Sequence, residues 1–310
     1  MKKGPWNVFT IVGLVFLAMV ILVIGYSFLV NNYATSPLSN NIAVIPIEGM
    51  ITYNGIESYL NLKSTVSASD VIEKIEAANE DSSIVGIVLE ISSPGGTVVA
   101  SKDIANAVKD CDKPVVAFIR ESGASGAYWI ASASDYIIAD PLSITGSLAV
   151  VGSYLDFEGL FDDYGINYNR LVTGEYKDTG SPFKSLSSLE EDLLMERMDL
   201  IHDYFVSAVA ENRGMEEAEV ASLANGAFYL GIQAVDLGLV DATGTKDDAV
   251  EKLKELAEVE NAVLVKFQDQ ASFFDYIMNK VTVQGFYFLG QGIGDSLLVE
   301  SGQDSLELSL

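Results

Sequence analysis

Residues 84–97 read Ile-Val-Gly-Ile-Val-Leu-Glu-Ile-Ser-Ser-Pro-Gly-Gly-Thr. Ile84 to Ile91 is a nearly unbroken β-branched run, the pattern of a strand buried on both faces of a parallel sheet. It stops at Ser92-Ser93-Pro94-Gly95-Gly96-Thr97, and residues 99–108 then read as a helix. Lys113-Pro114 opens the next apolar strand, Val115 to Ile119. Strand, helix and strand recurring at roughly 30-residue spacing predict right-handed βαβ crossovers and an α/β fold. Working outward, residues 42–47 read as a short strand. Residues 69–79 read as a helix with Val71, Ile72, Ile75 and Ala78 on one face. Tyr136 to Ala139 and Leu148 to Val151 add short strands. Ser188 and Glu191 have capping-box spacing at the start of a long helix. Its apolar stripe is Leu189, Leu193, Met198, Ile201, Phe205 and Val209. Residues 226–240 read as strand, helix and turn, residues 246–258 as an amphipathic helix, and residues 262–267 as a last strand.

The strand from Ala117 runs into a second glycine turn, Ser122-Gly123-Ala124-Ser125-Gly126-Ala127, followed by the small and aromatic residues of a helix start. A serine there suits a nucleophile. Glycine lets a substrate approach the backbone, and the first helical amides carry a partial positive charge. The competing reading is a small-residue turn packed tightly against the sheet. In an open parallel sheet, sites gather at the C-terminal strand ends. The Pro94-Gly95-Gly96 and Ser125-Gly126 turns follow consecutive strands, so the Gly96 and Gly126 amides are placed to converge on one oxyanion.

Composition restricts the chemistry. The chain has 310 residues, one cysteine and one histidine. Cys111 alone excludes an internal disulfide framework. His202 alone excludes a polyhistidine zinc site, and any Ser-His-Asp triad would have to use it. His202 lies on the edge of the long helix, far in sequence from the glycine turns, and reads as a partly buried structural residue. The formal net charge of −26 argues against nucleic acid as a partner.

The ends of the chain carry different signals. After a short N-terminus, residues 1–7, the apolar run at residues 8–30 would span about 35 Å as a helix, enough for a bilayer. Lys2 and Lys3 precede it, so the N-terminus is expected in the cytoplasm and the bulk of the chain outside. The run is longer than the apolar core of a cleaved signal peptide, which favours an uncleaved single-pass anchor in the cell membrane. Residues 31–40 read as a linker, residues 41–267 as the folded domain, and residues 268–310 as an aromatic tail without an assigned role.

Without a usable histidine, the base for a serine must be Lys, Asp or Glu. Thr173-Gly174-Glu175-Tyr176-Lys177-Asp178-Thr179-Gly180-Ser181-Pro182-Phe183 is a glycine-flanked loop with Lys177 at its centre. A lysine titrates near 10.4 in water and serves as a base only where its neutral form is accessible. From spacing alone, Lys177 also fits a solvated surface lysine, and Lys184 competes with it.

Four ordered motifs resemble the signal peptide peptidase A family of membrane-bound serine proteases, relatives of the ClpP and crotonase-like folds. They are Ser93-Pro94-Gly95-Gly96, Ala124 to Ser132, Ile144-Thr145-Gly146-Ser147 and Gly174-Glu175-Tyr176-Lys177-Asp178. Residues 231–241 add a segment similar to the family's A-x-x-L-G-L-V-D. The resemblance spans roughly residues 42–240. It implies Ser125 as nucleophile, Lys177 as general base and acid, and Ser147 as the residue that positions Lys177. It also implies Gly96 and Gly126 as the oxyanion hole, no metal or cofactor, and a ring of identical protomers that complete one another's sites. Remnant signal peptides and other apolar peptides at the membrane are the implied substrates. The chain departs from the pattern at Ala127, where many members have glycine, and at Ser181, where many have an acidic residue. It also holds one catalytic module, not a tandem pair. The alternatives are a protease of stomatin-like partners, a crotonase-like acyl-CoA enzyme, and a catalytically inactive crotonase-like scaffold.

Overall fold

The computed structural model describes residues 40–54 and 65–267, together with residues 14, 17–23 and 25. These last residues are helical and fall within the expected anchor, most of which lies outside the described residues. Among the described residues no helix is long and apolar enough to cross a membrane. The linker at 31–40 (apart from Asn40) and the tail at 268–310 also lie outside them.

The strands are β1 (Asn41–Glu48), β2 (Met50–Thr52), β3 (Thr65–Ser67), β4 (Ile84–Ser93), β5 (Val115–Ala124), β6 (Tyr136–Ala139), β7 (Ile144–Gly146), β8 (Phe228–Leu230), β9 (Ala242–Thr243) and β10 (Val263–Lys266). The helices are α1 (Ala68–Glu80), α2 (Val98–Lys109), α3 (Gly126–Ser132), α4 (Glu158–Asp163), α5 (Ser188–Arg213), α6 (Glu217–Leu223), α7 (Gly231–Asp236) and α8 (Lys246–Leu256). The main sheet runs β10-β1-β4-β5-β6-β9, and every pair along that path is parallel. β7 pairs parallel with the end of β5 and antiparallel with β8.

β4 shows why its sequence is apolar on both sides. Ile87, Leu89 and Ile91 join the cluster that holds Val71, Ile75, Ile104 and Val108 of α1 and α2. Val88 faces the other way, among Ile42, Val44, Phe118 and the α8 residues Val250 and Leu253. Helices therefore cover both faces, as a parallel sheet requires. α1 buries Ala68, Val71, Ile75 and Ala78, spaced three or four apart, and Ser67 caps it by accepting from the Asp70 amide.

The expected strand at Leu148 to Val151 is corrected. The strand is Ile144–Gly146, and residues 147–151 follow it without regular structure. Ladder pairing with Ser122–Ala124 decides its position, and apolar content alone did not show that partner. The capping box of α5 lies one residue earlier than its spacing predicts, with Ser187 as cap and Glu190 as its reciprocal partner. The apolar stripe of α5 is buried only in its second half, at Phe205, Val206, Val209 and Ala210, whereas Leu189 is exposed.

Candidate active site

β4 and β5 are adjacent and parallel, and both end at glycine turns. Ser93 pairs with Gly123, so the two turns leave the sheet side by side. Gly95 adopts φ +98, and a side chain there would press on Ala124 O and Gly126 N, each 2.8 Å away. Gly96 bridges Ile51: the Ile51 amide donates to Gly95 O and the Thr97 amide donates to Ile51 O, both at 2.9 Å. A side chain on Gly96 would collide with the Ile51 backbone. These glycines are required by close approach, and Gly95 also by its conformation.

Ser125 is the hinge between β5 and α3. Its backbone takes φ 54 and ψ −125, a region that L residues avoid. The strain is held by two bonds: the Ser125 amide donates to Gly146 O at 2.8 Å, and the Trp129 amide donates to Ser125 O at 3.0 Å. A side chain on a strained strand-to-helix turn projects from the sheet edge instead of packing into it. The amides of Gly96 and Gly126 take no partner among the described residues. A Cβ built on Gly126 would lie 3.4 Å from the Gly96 nitrogen and would clash with Ser101 Oγ, so these groups crowd one point.

Beside that point is a cleft of about 110 Å³. Gly96, Ser125 and Gly126 line it together with Ser101, and the remaining wall is apolar, formed by Val98, Trp129, Ala149, Val150, Val151, Ile201 and Phe205. Trp129 stacks on Phe205 with ring centroids 4.7 Å apart. No Asp, Glu, His, Lys or Arg is among these lining residues. The arrangement offers a nucleophilic hydroxyl, two unpaired amides for a developing oxyanion, and an apolar recess for a neighbouring side chain.

The sequence-predicted residues are thus partly united. Ser125, Gly96 and Gly126 share the cleft. Ser147 follows Gly146, whose carbonyl holds the Ser125 amide; it has φ 53, and its hydroxyl donates to Gly226 O at 3.4 Å. Lys177 does not line the cleft. It sits in the exposed arm at residues 151–187, and its side chain takes no partner among the described residues. Lys184, its competitor in the sequence, is committed to Glu190 at 2.6 Å. The Lys184 ion pair, then the Ser187 amide, hold the Glu190 carboxyl at about 2. His202 is half-buried, with Nε2 2.8 Å from Ala224 O, as a structural residue would be.

Sequence reasoning did not find Ser101. Its hydroxyl is fully buried, without a partner among the described residues, on the first turn of α2 beneath Gly126. Its only sequence signal is a small polar residue at an otherwise buried helix position, which tertiary contact alone makes meaningful.

The comparisons give the class of the chain, a serine protease. A model of ClpP-like SDH-type serine proteinases matches residues 16–153, and the model of peptidase family S49 matches residues 107–260. A putative protease, MJ0651, of Methanocaldococcus jannaschii is 36% identical over 73% of this chain and 71% of its own length. A putative signal peptide peptidase SppA of Enterococcus faecium is 31% identical over 78% of this chain and 72% of its own. Protease 4 of Haemophilus influenzae is 33% identical over 70% of this chain but only 35% of that longer protein. Among solved structures, the 1510-N membrane-bound stomatin-specific protease in complex with a substrate peptide superposes with a TM-score of 0.50 at 15% identity. That superposition covers 79% of this chain and 99% of the other, and it supports the fold. The chain belongs to peptidase family S49.

Proposed function

We propose that the chain is a membrane-anchored endopeptidase that cuts remnant signal peptides and other apolar peptides through a Ser125–Lys177 dyad. The observation that carries the proposal is the strained Ser125 beside two unpaired glycine amides on an apolar cleft. Ser125 Oγ attacks the scissile carbonyl carbon, and its proton passes to neutral Lys177 Nζ. The carbonyl oxygen, now anionic, accepts from the Gly96 and Gly126 amides. Collapse of the tetrahedral intermediate breaks the C–N bond, and Lys177 returns the proton to the leaving amine. Water, deprotonated by the same lysine, then hydrolyses the acyl-enzyme. Ser147 holds the lysine in place.

The anchor at residues 8–30 would keep the domain on the extracytoplasmic side. Self-association into a ring accounts for a base that lies away from the cleft. The arm that carries Lys177 exposes Leu155, Tyr164 and Leu171, the last at 97%, and a neighbouring protomer would cover them while receiving the lysine. The name of the Enterococcus relative favours signal-peptide remnants as substrate. The stomatin-specific neighbour makes a stomatin-like segment the runner-up.

The test uses the full chain in detergent with three fluorogenic peptides: a signal-peptide core, a stomatin-like apolar segment and a charged control. A fluorophosphonate probe reports on Ser125. Cleavage of the first peptide, lost in Ser125→Ala and in Lys177→Ala with the fold retained, supports the dyad. Mixing these two inactive variants restores activity if protomers share sites. Cleavage by Ser125→Ala at the wild-type rate would sink the proposal.

A further inference from the structure

The arm at residues 151–187 carries three cations, Arg170, Lys177 and Lys184, and two of them are already committed. Lys184 Nζ meets Glu190 Oε1 at 2.6 Å, and Thr179 Oγ1 donates to the same oxygen at 3.1 Å. Arg170 grips Asp178 with both edges of its fork: Nε donates to Oδ2 at 2.5 Å and Nη2 to Oδ1 at 2.7 Å. Nη2 also donates to Glu175 O at 2.9 Å, so one guanidinium ties both sides of the turn at Lys177. Lys177 itself takes no partner among the described residues, although Asp178 is its immediate neighbour in the chain.

We infer that the Arg170–Asp178 fork is a positioning device for Lys177, which occupies the carboxylate that would otherwise act as the lysine's counter-ion and fixes the turn that presents it. The inference rests on the reading of Lys177 as general base. A general base must lose its proton, and an opposite charge within a few ångströms opposes that loss. Pairing Asp178 elsewhere removes the opposition. The planar fork also sets a fixed geometry that a lysine at position 170 would not reproduce. The hydrogen bonds from Arg170 hold the Asp178 carboxyl below the ordinary carboxylate range, so the device stays intact through neutral and alkaline pH. The other titratable groups around the turn are Glu175 and Tyr176 within it, Tyr168 beside Arg170, Lys184 before α5, and Glu190 and Glu191 in the first turn of α5. Within the arm, α4 stacks Phe161 on Phe183 at 5.6 Å and carries Glu158, Asp162 and Asp163. Asp156, just before α4, is bonded to Ser185. Among these carboxylates, Asp178 is the one adjacent to Lys177 in the chain.

The experiment is the pH profile of kcat/KM at low ionic strength, measured on the full chain with the apolar peptide. Its variants are Arg170→Gln, Arg170→Lys, Asp178→Asn, the double variant Arg170→Gln with Asp178→Asn, and Lys177→Ala as control. Freeing Asp178 in Arg170→Gln moves the rising limb up by about half a pH unit, the scale of an exposed pair, which lowers kcat/KM about threefold on that limb. The double variant returns the limb to its wild-type position, because the freed carboxylate is gone. Asp178→Asn leaves Arg170 uncompensated near the lysine and moves the limb down. Arg170→Lys keeps the limb near wild type but lowers the plateau. A plain tether predicts lower rates at every pH with the limb fixed, and that result overturns the inference. So does a double variant that stays shifted, or an Asp178→Asn limb that moves up. If Arg170→Gln does not fold, Asp178→Asn alone decides by the direction of its shift. If Lys177→Ala keeps full turnover, the general-base reading fails and the inference with it. If Lys177→Ala is dead while the limb in Arg170→Gln is unmoved, only the inference about the fork fails.

Discussion

Replacing Gly96 with alanine tests the oxyanion turn through one methyl group. Gly96 does not have a positive φ, so the effect is one of space and not of backbone preference. The new Cβ would lie 2.6 Å from both the nitrogen and the carbonyl carbon of Ile51, with Ile51 O closer still. Ordinary contact with Ile51 O requires the turn or β2 to retreat by roughly 1.5 Å. The bonds from the Ile51 amide to Gly95 O and from the Thr97 amide to Ile51 O must then stretch, and the Gly96 amide swings off its target. Loss of one aligned oxyanion donor costs about 3–4 kcal/mol in the transition state, or ~10²–10³ in kcat. The donor acts on charge that develops during reaction, so KM should change little. Overpacking should lower stability by about 1–3 kcal/mol. Steady-state cleavage of the apolar peptide, with thermal unfolding alongside, measures both. Gly159→Ala is the control, because a Cβ there meets nothing within 4 Å, and it should behave as wild type. A folded Gly96→Ala enzyme that turns over within about threefold of wild type would refute the placement of the oxyanion at this turn.

Three further outcomes are expected. Ser125→Gly abolishes activity yet unfolds at a higher temperature than Ser125→Ala, by about 1 kcal/mol, because glycine alone relaxes at φ 54 and ψ −125; equal melting temperatures would mean the turn stores no strain. Trp129→Ala, which removes the ring stacked on Phe205, lowers stability by about 3–5 kcal/mol in urea titrations and weakens binding of apolar peptides; a loss under 1 kcal/mol would contradict the packing. Glu190 titrates at about 2 when folded against an ordinary 4.5, so its share of stability is complete above pH 4.5 and disappears as pH falls toward 2. Limited digestion by an acid protease should therefore open the arm at 151–187 progressively over that window, and Glu190→Gln should expose the arm to digestion already at pH 7. Digestion that is independent of pH between 4.5 and 2 would show that Glu190 does not hold the arm.

The sequence by itself determined the repeated strand–helix–strand order, because burial on both faces leaves no polar alternation in Ile84 to Ile91. It also determined the two glycine turns at strand ends, since Gly95, Gly96 and Gly126 stand where a side chain would meet backbone or Ser101. The strained turn at Ser125 lies where Ser122 to Ala127 placed a glycine turn between strand and helix. Tertiary structure decided what depends on partners distant in the chain. β7 lies at Ile144–Gly146 because Ser122–Ala124 and Phe228–Leu230 offer it free ladder positions. The apolar cleft exists because α5 brings Ile201 and Phe205 back to Trp129 and Val98, about a hundred residues apart along the chain from Val98. Periodicity ranked Leu189 with Phe205 on α5, but only Phe205 found a neighbour to cover it. Ser101 and the Arg170–Asp178 fork were invisible for the same reason: a hydroxyl or a guanidinium gains its meaning from the atom it faces, and sequence spacing does not carry that distance.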